Sequence, residues 1–171
     1  PGLSGISNSF YGDESKALFG NVAIELIPGL TLNGGYRYTW DKASLCAKSY
    51  APGQGAFLPD VDACEATAGA FVDTVKFSAP TWSIGLDYQA TDHVFVYGVV
   101  RRGYRTGNLN SPRLSSTGTR PLAEFQSYGP QYVTDYEIGL KTSWRAGDVH
   151  GRLNLAAFQG DFTDLQNQVS A

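Results

Sequence analysis

The 171-residue sequence has no methionine, only two cysteines and two histidines, and few charges. Each shortage excludes something. Lacking even an initiator methionine, it reads as an interior piece of a longer chain. Two cysteines with no histidine nearby do not make a zinc site. His93 and His150 lie far apart and fall in short turns, so they read as solvated turn residues rather than a haem or metal site. Charged residues make up 17% of the chain, against about 25% in soluble domains. A net charge of −3 offers no basic stripe to phosphates, so no nucleic-acid partner is expected. No run of about 18 apolar residues exists, which excludes a transmembrane helix. It does not exclude a membrane strand, which turns only alternate side chains to lipid. Residues 1–9 carry no basic and apolar signal segment, so any export signal lies upstream. No Ser-His-Asp or Cys-His arrangement, catalytic carboxylate pair or nucleotide motif supports an enzyme, and no cofactor is implied.

What the chain does have is aromatic side chains, 13% with tyrosine commonest, abundant glycine, and alternation. Leu18, Val22, Ile24 and Leu26 share one face of residues 15–27, with Phe19, Asn21, Ala23 and Glu25 on the other. Leu30, Leu32, Tyr36, Tyr38 and Trp40 oppose Thr31, Asn33, Arg37 and Asp41 over 30–40. Trp82, Ile84, Leu86 and Tyr88 oppose Ser83, Asp87 and Gln89 over 81–90. Tyr136, Ile138, Leu140 and Trp144 oppose Asp135, Glu137, Lys141 and Ser143 over 132–144. From about residue 150, Leu153, Leu155 and Ala157 oppose Arg152, Asn154 and Phe158. Period two marks strands with one apolar side. In a further strand at 94–104, Phe95, Tyr97 and Val99 compete with Val94, Val96 and Val100. The first set is expected outward, which turns Arg102 inward.

These strands are longer than soluble ones usually are and suit a tilted bilayer crossing. Aromatics near their ends match membrane girdles. Mid-strand Arg37, Asp87, Arg102, Asp135, Glu137, Lys141, Arg152 and Asn154 would be costly in lipid, so their face is expected to line an aqueous or protein-filled lumen. The connections read short, long, short, long, short. Outer-membrane barrels have short periplasmic turns and long extracellular loops. That places Pro28-Gly29, residues 91–93 and residues 145–148 in the periplasm, and residues 42–78 and 105–131 outside the cell. The expected fold class is therefore all-β: an antiparallel transmembrane β-barrel segment of about six long strands. Six strands are too few to close the usual barrel, whose minimum is eight. Open edges in lipid leave peptide groups unpaired. Residues 1–171 are thus expected to be part of a longer barrel chain; assembly of several chains is the rarer alternative.

Three runs carry a resemblance. ALFGNVAIELIPGLTLNGGYRYTWDK (17–42), WSIGLDYQATDHVFVYGVVRRGYRTGNLN (82–110) and YGPQYVTDYEIGLKTSWRAGDVHGRLNLAAFQGDFTDLQ (128–166) resemble, in order, barrel hairpins of TonB-dependent outer-membrane receptors. Gln131 stands where that family usually has Glu. The resemblance implies a barrel of about 22 strands around a plug, in the outer membrane of a Gram-negative bacterium. It also implies contacts with outer-membrane lipid, active uptake of a scarce nutrient such as a ferric siderophore, and energy coupling to the TonB complex through an N-terminal segment. Plug, TonB box and terminal strand are not in this sequence. The alternative function is a passive porin or structural barrel.

Several residues carry open alternatives. Cys46 and Cys64 sit in one loop on the oxidising outer side, where a disulfide is expected; two free thiols or a metal pair are the alternatives. Asp60, Asp62 and Glu65 form an acidic cluster that either binds a cation or is a solvated surface. Arg101, Arg102, Arg105, Arg113 and Arg120 make the second loop region basic. They either attract an anionic ligand or pair in the lumen with Asp135 or Glu137. Arg105, Asn108, Asn110, Arg113 and Arg120 are the candidate extracellular ligand contacts.

Overall fold

A computed structural model describes residues 6–51, 58–110 and 126–166. Strands β1 (Ile6–Ile27), β2 (Leu30–Tyr50), β3 (Phe71–Thr91), β4 (Val94–Arg105), β7 (Gln131–Ala146) and β8 (Val149–Thr163) dominate. They form one six-stranded sheet in the order β1-β2-β3-β4-β7-β8. A five-residue helix α1 (Val61–Glu65) and a two-residue rung, β5 (Asn108–Leu109) with β6 (Ser127–Tyr128), interrupt the two long connections. Among the described residues, no helix is long and apolar enough to cross a membrane.

The turns are tight for identifiable reasons. Gly29 and Gly147 take positive φ values of 81° and 59°, which glycine adopts without a Cβ penalty. The Gln89 amide donates to the Gly29 carbonyl at 2.8 Å, and the Ser143 amide to the His93 carbonyl at 2.9 Å. The three turns are thereby stitched along one end of the sheet.

By its internal contacts the chain divides into two units, one of residues 1–16, 40–78 and 106–130 and another of residues 17–39, 79–105 and 131–171. The second unit has two faces and almost no core. In β3, Trp82, Ile84, Leu86 and Tyr88 are exposed, while Ser83, Gly85 and Asp87 between them are half-buried. Register carries each face across the neighbours. Ile84, Val100, Tyr136 and Gln159 align in one row, and Asp87, Tyr97, Gly139 and Ala156 in a row of the opposite face.

That register corrects the expected facing of β4. Tyr97 shares the row of Asp87, and Val99 the row of Glu137, so Phe95, Tyr97 and Val99 lie on the charged face. Val96 and Val100 lie on the apolar one. Arg102 pairs with Trp82 and Thr134, on the apolar face rather than inward. The cause is local. Tyr97 carries a hydroxyl that needs a partner, and it donates to the Glu137 carboxylate at 2.6 Å. Its ring lies over Gly139, where a side chain would collide with it.

The first unit corrects the expected lengths. β1 begins at Ile6, β2 runs on to Tyr50, and β3 starts at Phe71. The segment 42–78 is thus not one irregular loop. At 22, 21 and 21 residues, these strands are about twice the 9–11 that cross a bilayer. Alternation fades beyond Trp40 because β2 is covered on both sides there. Leu45 and Ala47 pack with Leu109, Phe71 and Val75, while Cys46, which alternation turns the other way, is also buried.

Glycine placement gives a testable consequence. A Cβ at Gly139 would run into the Tyr97 ring, and one at Gly151 into the Trp144 indole, whereas one at Gly20 meets nothing within 4 Å. Gly139→Val and Gly151→Val are expected to destabilise the barrel by about 1–3 kcal/mol each, the usual cost of overpacking. Gly20→Ala should stay within about 0.5 kcal/mol. Urea unfolding in detergent, followed by the gel shift of the folded barrel, measures all three.

Candidate functional site

The charged face of the second unit holds a linked set of side chains. Arg101, opposite Asp135 on β7, donates to its carboxylate through Nε at 2.8 Å. Its Nη2 reaches Glu137 at 2.5 Å. Glu137 also accepts from Tyr97. The Lys141 ammonium lies over the rings of Phe95 and Tyr97, 5.6 and 5.3 Å from their centroids. Two strands away, Asn33 Nδ2 donates to Asp87 Oδ2 at 2.8 Å, and Arg37 Nε donates to Thr39 Oγ1 at 3.1 Å. On β8, Arg152 and Asn154 occupy the same face, opposite Ser143 and Lys141.

This arrangement decides part of the question left by the basic stretch. Arg101 is committed to two carboxylates and is not left open for an anion. The Arg101 side chain is half exposed, so each pair is worth at most about 1 kcal/mol. The set fixes side-chain geometry on the wall more than it stabilises the fold. Sequence reasoning already offered Asp135 or Glu137 as partners for the basic stretch, and the structure pairs Arg101 with both. It missed Tyr97, which it expected outward; the place of Tyr97 opposite Gly139 and beside Glu137 comes from register.

Arg102 does something else. Its guanidinium stacks 4.7 Å from the Tyr132 ring centroid, and Tyr132 lies 6.2 Å from Tyr104. Trp82 and Tyr136 share this apolar face near the loop end, and Tyr88 and Trp144 near the turn end. The aromatics thus form two bands, as membrane interfaces favour.

In the first unit, Cys46 and Cys64 are joined, with an S–S length of 2.07 Å and a Cα–Cα distance of 6.2 Å. Cys64 sits in α1, whose N-cap Asp60 accepts from the Ala63 amide at 2.9 Å. Asp62 lies in the first turn, where a carboxylate favours the helix dipole. Asp60 and Asp62 thus support the helix start, while Glu65 is its last residue. Lys48 Nζ donates to the Ala68 carbonyl at 2.7 Å, a second tether of this connection to β2.

The other connection is held at its base. Asn108 Nδ2 donates to Asp13 Oδ1 at 3.3 Å, and its Oδ1 accepts from the Leu109 amide at 2.7 Å. Asn110 and Gln126 exchange two hydrogen bonds, at 2.8 and 3.1 Å. Of the candidate ligand contacts, Arg105 is an exposed strand end opposite Gln131. Asn108 and Asn110 frame the rung, and Arg113 and Arg120 lie outside the described residues. His93 Nδ1 lies 3.3 Å from Ser143 Oγ at a turn, and His150 pairs with Arg145 at another. No group of three or more His, Cys, Asp or Glu suited to a metal occurs among the described residues.

The disulfide spans 18 positions. A loop of that size restrains the unfolded chain by about 3 kcal/mol. Cys46→Ser is expected to leave the membrane strands folded and to make the 51–70 connection protease-sensitive. Limited proteolysis, with alkylation mass shifts before and after reduction, checks both the bond and its effect.

Residues 2–171 match the family described as TonB dependent receptor-like, beta-barrel. Among solved structures, the chain is similar to the ferric yersiniabactin uptake receptor FyuA of Yersinia pestis. The TM-score is 0.70 at 20% identity over 95% of this chain. At that identity the likeness is one of fold. The chain spans 22% of that receptor's length.

Proposed function

We propose, for a chain that belongs to the TonB-dependent receptor-like β-barrel family of the Gram-negative outer membrane, that it forms part of the wall of a receptor for active uptake of a scarce nutrient, of the ferric siderophore type. Members of this family are transporters rather than enzymes. The observation that carries the reading is the family match over nearly the whole sequence.

The wall's chemistry agrees with this role. The charged face faces the lumen, where the Lys141, Tyr97, Glu137, Arg101 and Asp135 set gives a folded plug a fixed polar surface to rest on. The apolar face meets lipid. The outer connections, tied by the disulfide and by the Asn108–Asp13 contact, hold the mouth in shape for a ligand. The sheet's outer strands, β1 and β8, need further barrel strands as partners, because an unpaired edge in hydrocarbon is unfavourable at every peptide group. Energy comes from the TonB complex acting through a plug.

The test is uptake by cells lacking the full-length receptor and complemented with it, grown under iron limitation and supplied with labelled ferric siderophores. Uptake is expected to require the receptor and to stop when TonB is deleted or the proton gradient is collapsed. Uptake that persists in de-energised cells would show a passive porin instead. An unchanged growth yield under iron limitation would remove iron as the cargo.

A further inference from the structure

On β8 the apolar pattern breaks off before the strand does. Leu153, Leu155 and Ala157 lie on the apolar face, and the next side chains on that face are Gln159 and Asp161. Register sets these polar groups beside others. Arg102 of β4, Thr134 of β7 and Asp161 of β8 are aligned in one row, with a cation on one side of a hydroxyl and a carboxylate on the other. Gln159 Nε2 donates to Asp161 Oδ1 at 3.2 Å, a bond that leaves the charge of the acid in place. The Arg102 guanidinium is held over Tyr132, a contact that orients it but supplies no counter-charge. Among the described residues, neither Arg102 nor Asp161 has an ion-pair partner.

Nearer the turns, Gly98, Ile138 and Ala157 are aligned on the same three strands. A large side chain stands on β7 with a small residue on either side. Within 4 Å, a Cβ added at Gly98 would meet only the Glu137 carbonyl, 3.9 Å away. The space above Gly98 is therefore open, and it belongs to a depression of about 720 Å³ that Leu86, Val100, Tyr136 and Ile138 also line. Both rows are self-complementary about β7. Two copies in one membrane stand the same way up, so a two-fold axis relating them runs along the membrane normal. An axis in front of β7 sets the β4 side of one copy against the β8 side of the other. A row carrying both signs in a fixed order matches a surface that carries them in the reverse order, and a second copy presents that order by symmetry.

We propose that the part of the apolar face formed by β4, β7 and β8 is an interface between two copies of the receptor. Arg102 of each copy pairs with Asp161 of the other, and Ile138 of each enters the space beside Ile138 of the other, over Gly98 or Ala157. Thr134 lies close to the axis and meets its own counterpart. The proposal rests on this face pointing out of the barrel. A nitroxide at Ile24, on the apolar face of β1 and outside the interface, tests that premise separately through its contact with apolar oxygen.

The test uses the full-length receptor in intact outer membranes, with single added cysteines and a short bis-maleimide. Thr134→Cys is expected to give an adduct of twice the receptor's mass. Leu18→Cys, on the same face of β1, should give at most about a tenth of that yield. Arg102→Glu or Asp161→Arg, each combined with Thr134→Cys, should lower the yield at least about fivefold, because each sets like charges against one another across the interface. Co-expression of these two charge variants should restore the adduct between unlike copies, since opposite signs then meet at both contacts. A defect within one barrel is not repaired in this way. No adduct at Thr134→Cys, an adduct with a protein of another mass, equal yield at Leu18→Cys, or no recovery on co-expression would overturn the proposal.

Discussion

Inside a bilayer the peptide group has no water to bond, so each backbone N–H and C=O must find a partner within the protein. An antiparallel ladder meets that demand strand by strand. The remaining features of the membrane unit follow from it. The strands lie in consecutive order with two-residue turns because a meander leaves no peptide unpaired between neighbours. Side chains then have only two directions available, and each direction has its own solvent. Where a large ring must lie flat on a neighbouring strand, as Tyr97 and Trp144 do, the opposing position is glycine.

The two faces obey different rules. On one, hydrocarbon side chains need no specific partners, and the aromatics only have to reach the interface. On the other, the central charges are held by neighbours: Arg101 by two carboxylates, Glu137 by a hydroxyl as well, and Asp87 by an amide. The result is a polar wall whose central charges are paired. The unit of residues 1–16, 40–78 and 106–130 is built differently. It has a small core at Leu45, Ala47 and Leu109, a covalent tie between Cys46 and Cys64, and a capped helix start. These are the means by which a soluble structure, rather than a membrane wall, keeps its shape.

The sequence was most legible where one side of a strand faces hydrocarbon. In β7, the alternation from Tyr136 to Trp144 matches the rows that register forms with β4 and β8. It was least legible where both sides are covered. From Ala43 to Ala47 the pattern dissolves, and the strand looks like a loop. β3 likewise runs on ahead of the 81–90 alternation and passes through Pro80, although proline lacks a ladder donor. In β4 both faces carry apolar residues, and local pattern alone cannot choose between them. The decision lies in cross-strand partners, Glu137 for Tyr97 and Asp135 for Arg101, which become neighbours only through register. The candidate ligand contacts were legible as a basic, Asn-rich stretch. That Asn108 is occupied by Asp13 and Arg101 by β7 depends on contacts between residues distant in sequence.

The two-faced wall is the central claim, and a nitroxide scan tests it most directly. Single labels at each position from Tyr132 to Trp144 of the full-length receptor in bilayers report contact with apolar oxygen and with a water-soluble nickel chelate. Oxygen contact should peak at Tyr136, Ile138 and Leu140 and chelate contact at Asp135, Glu137 and Lys141, with a period of two. Uniform accessibility to the chelate on both faces, or the same alternation with its phase reversed, would contradict the account.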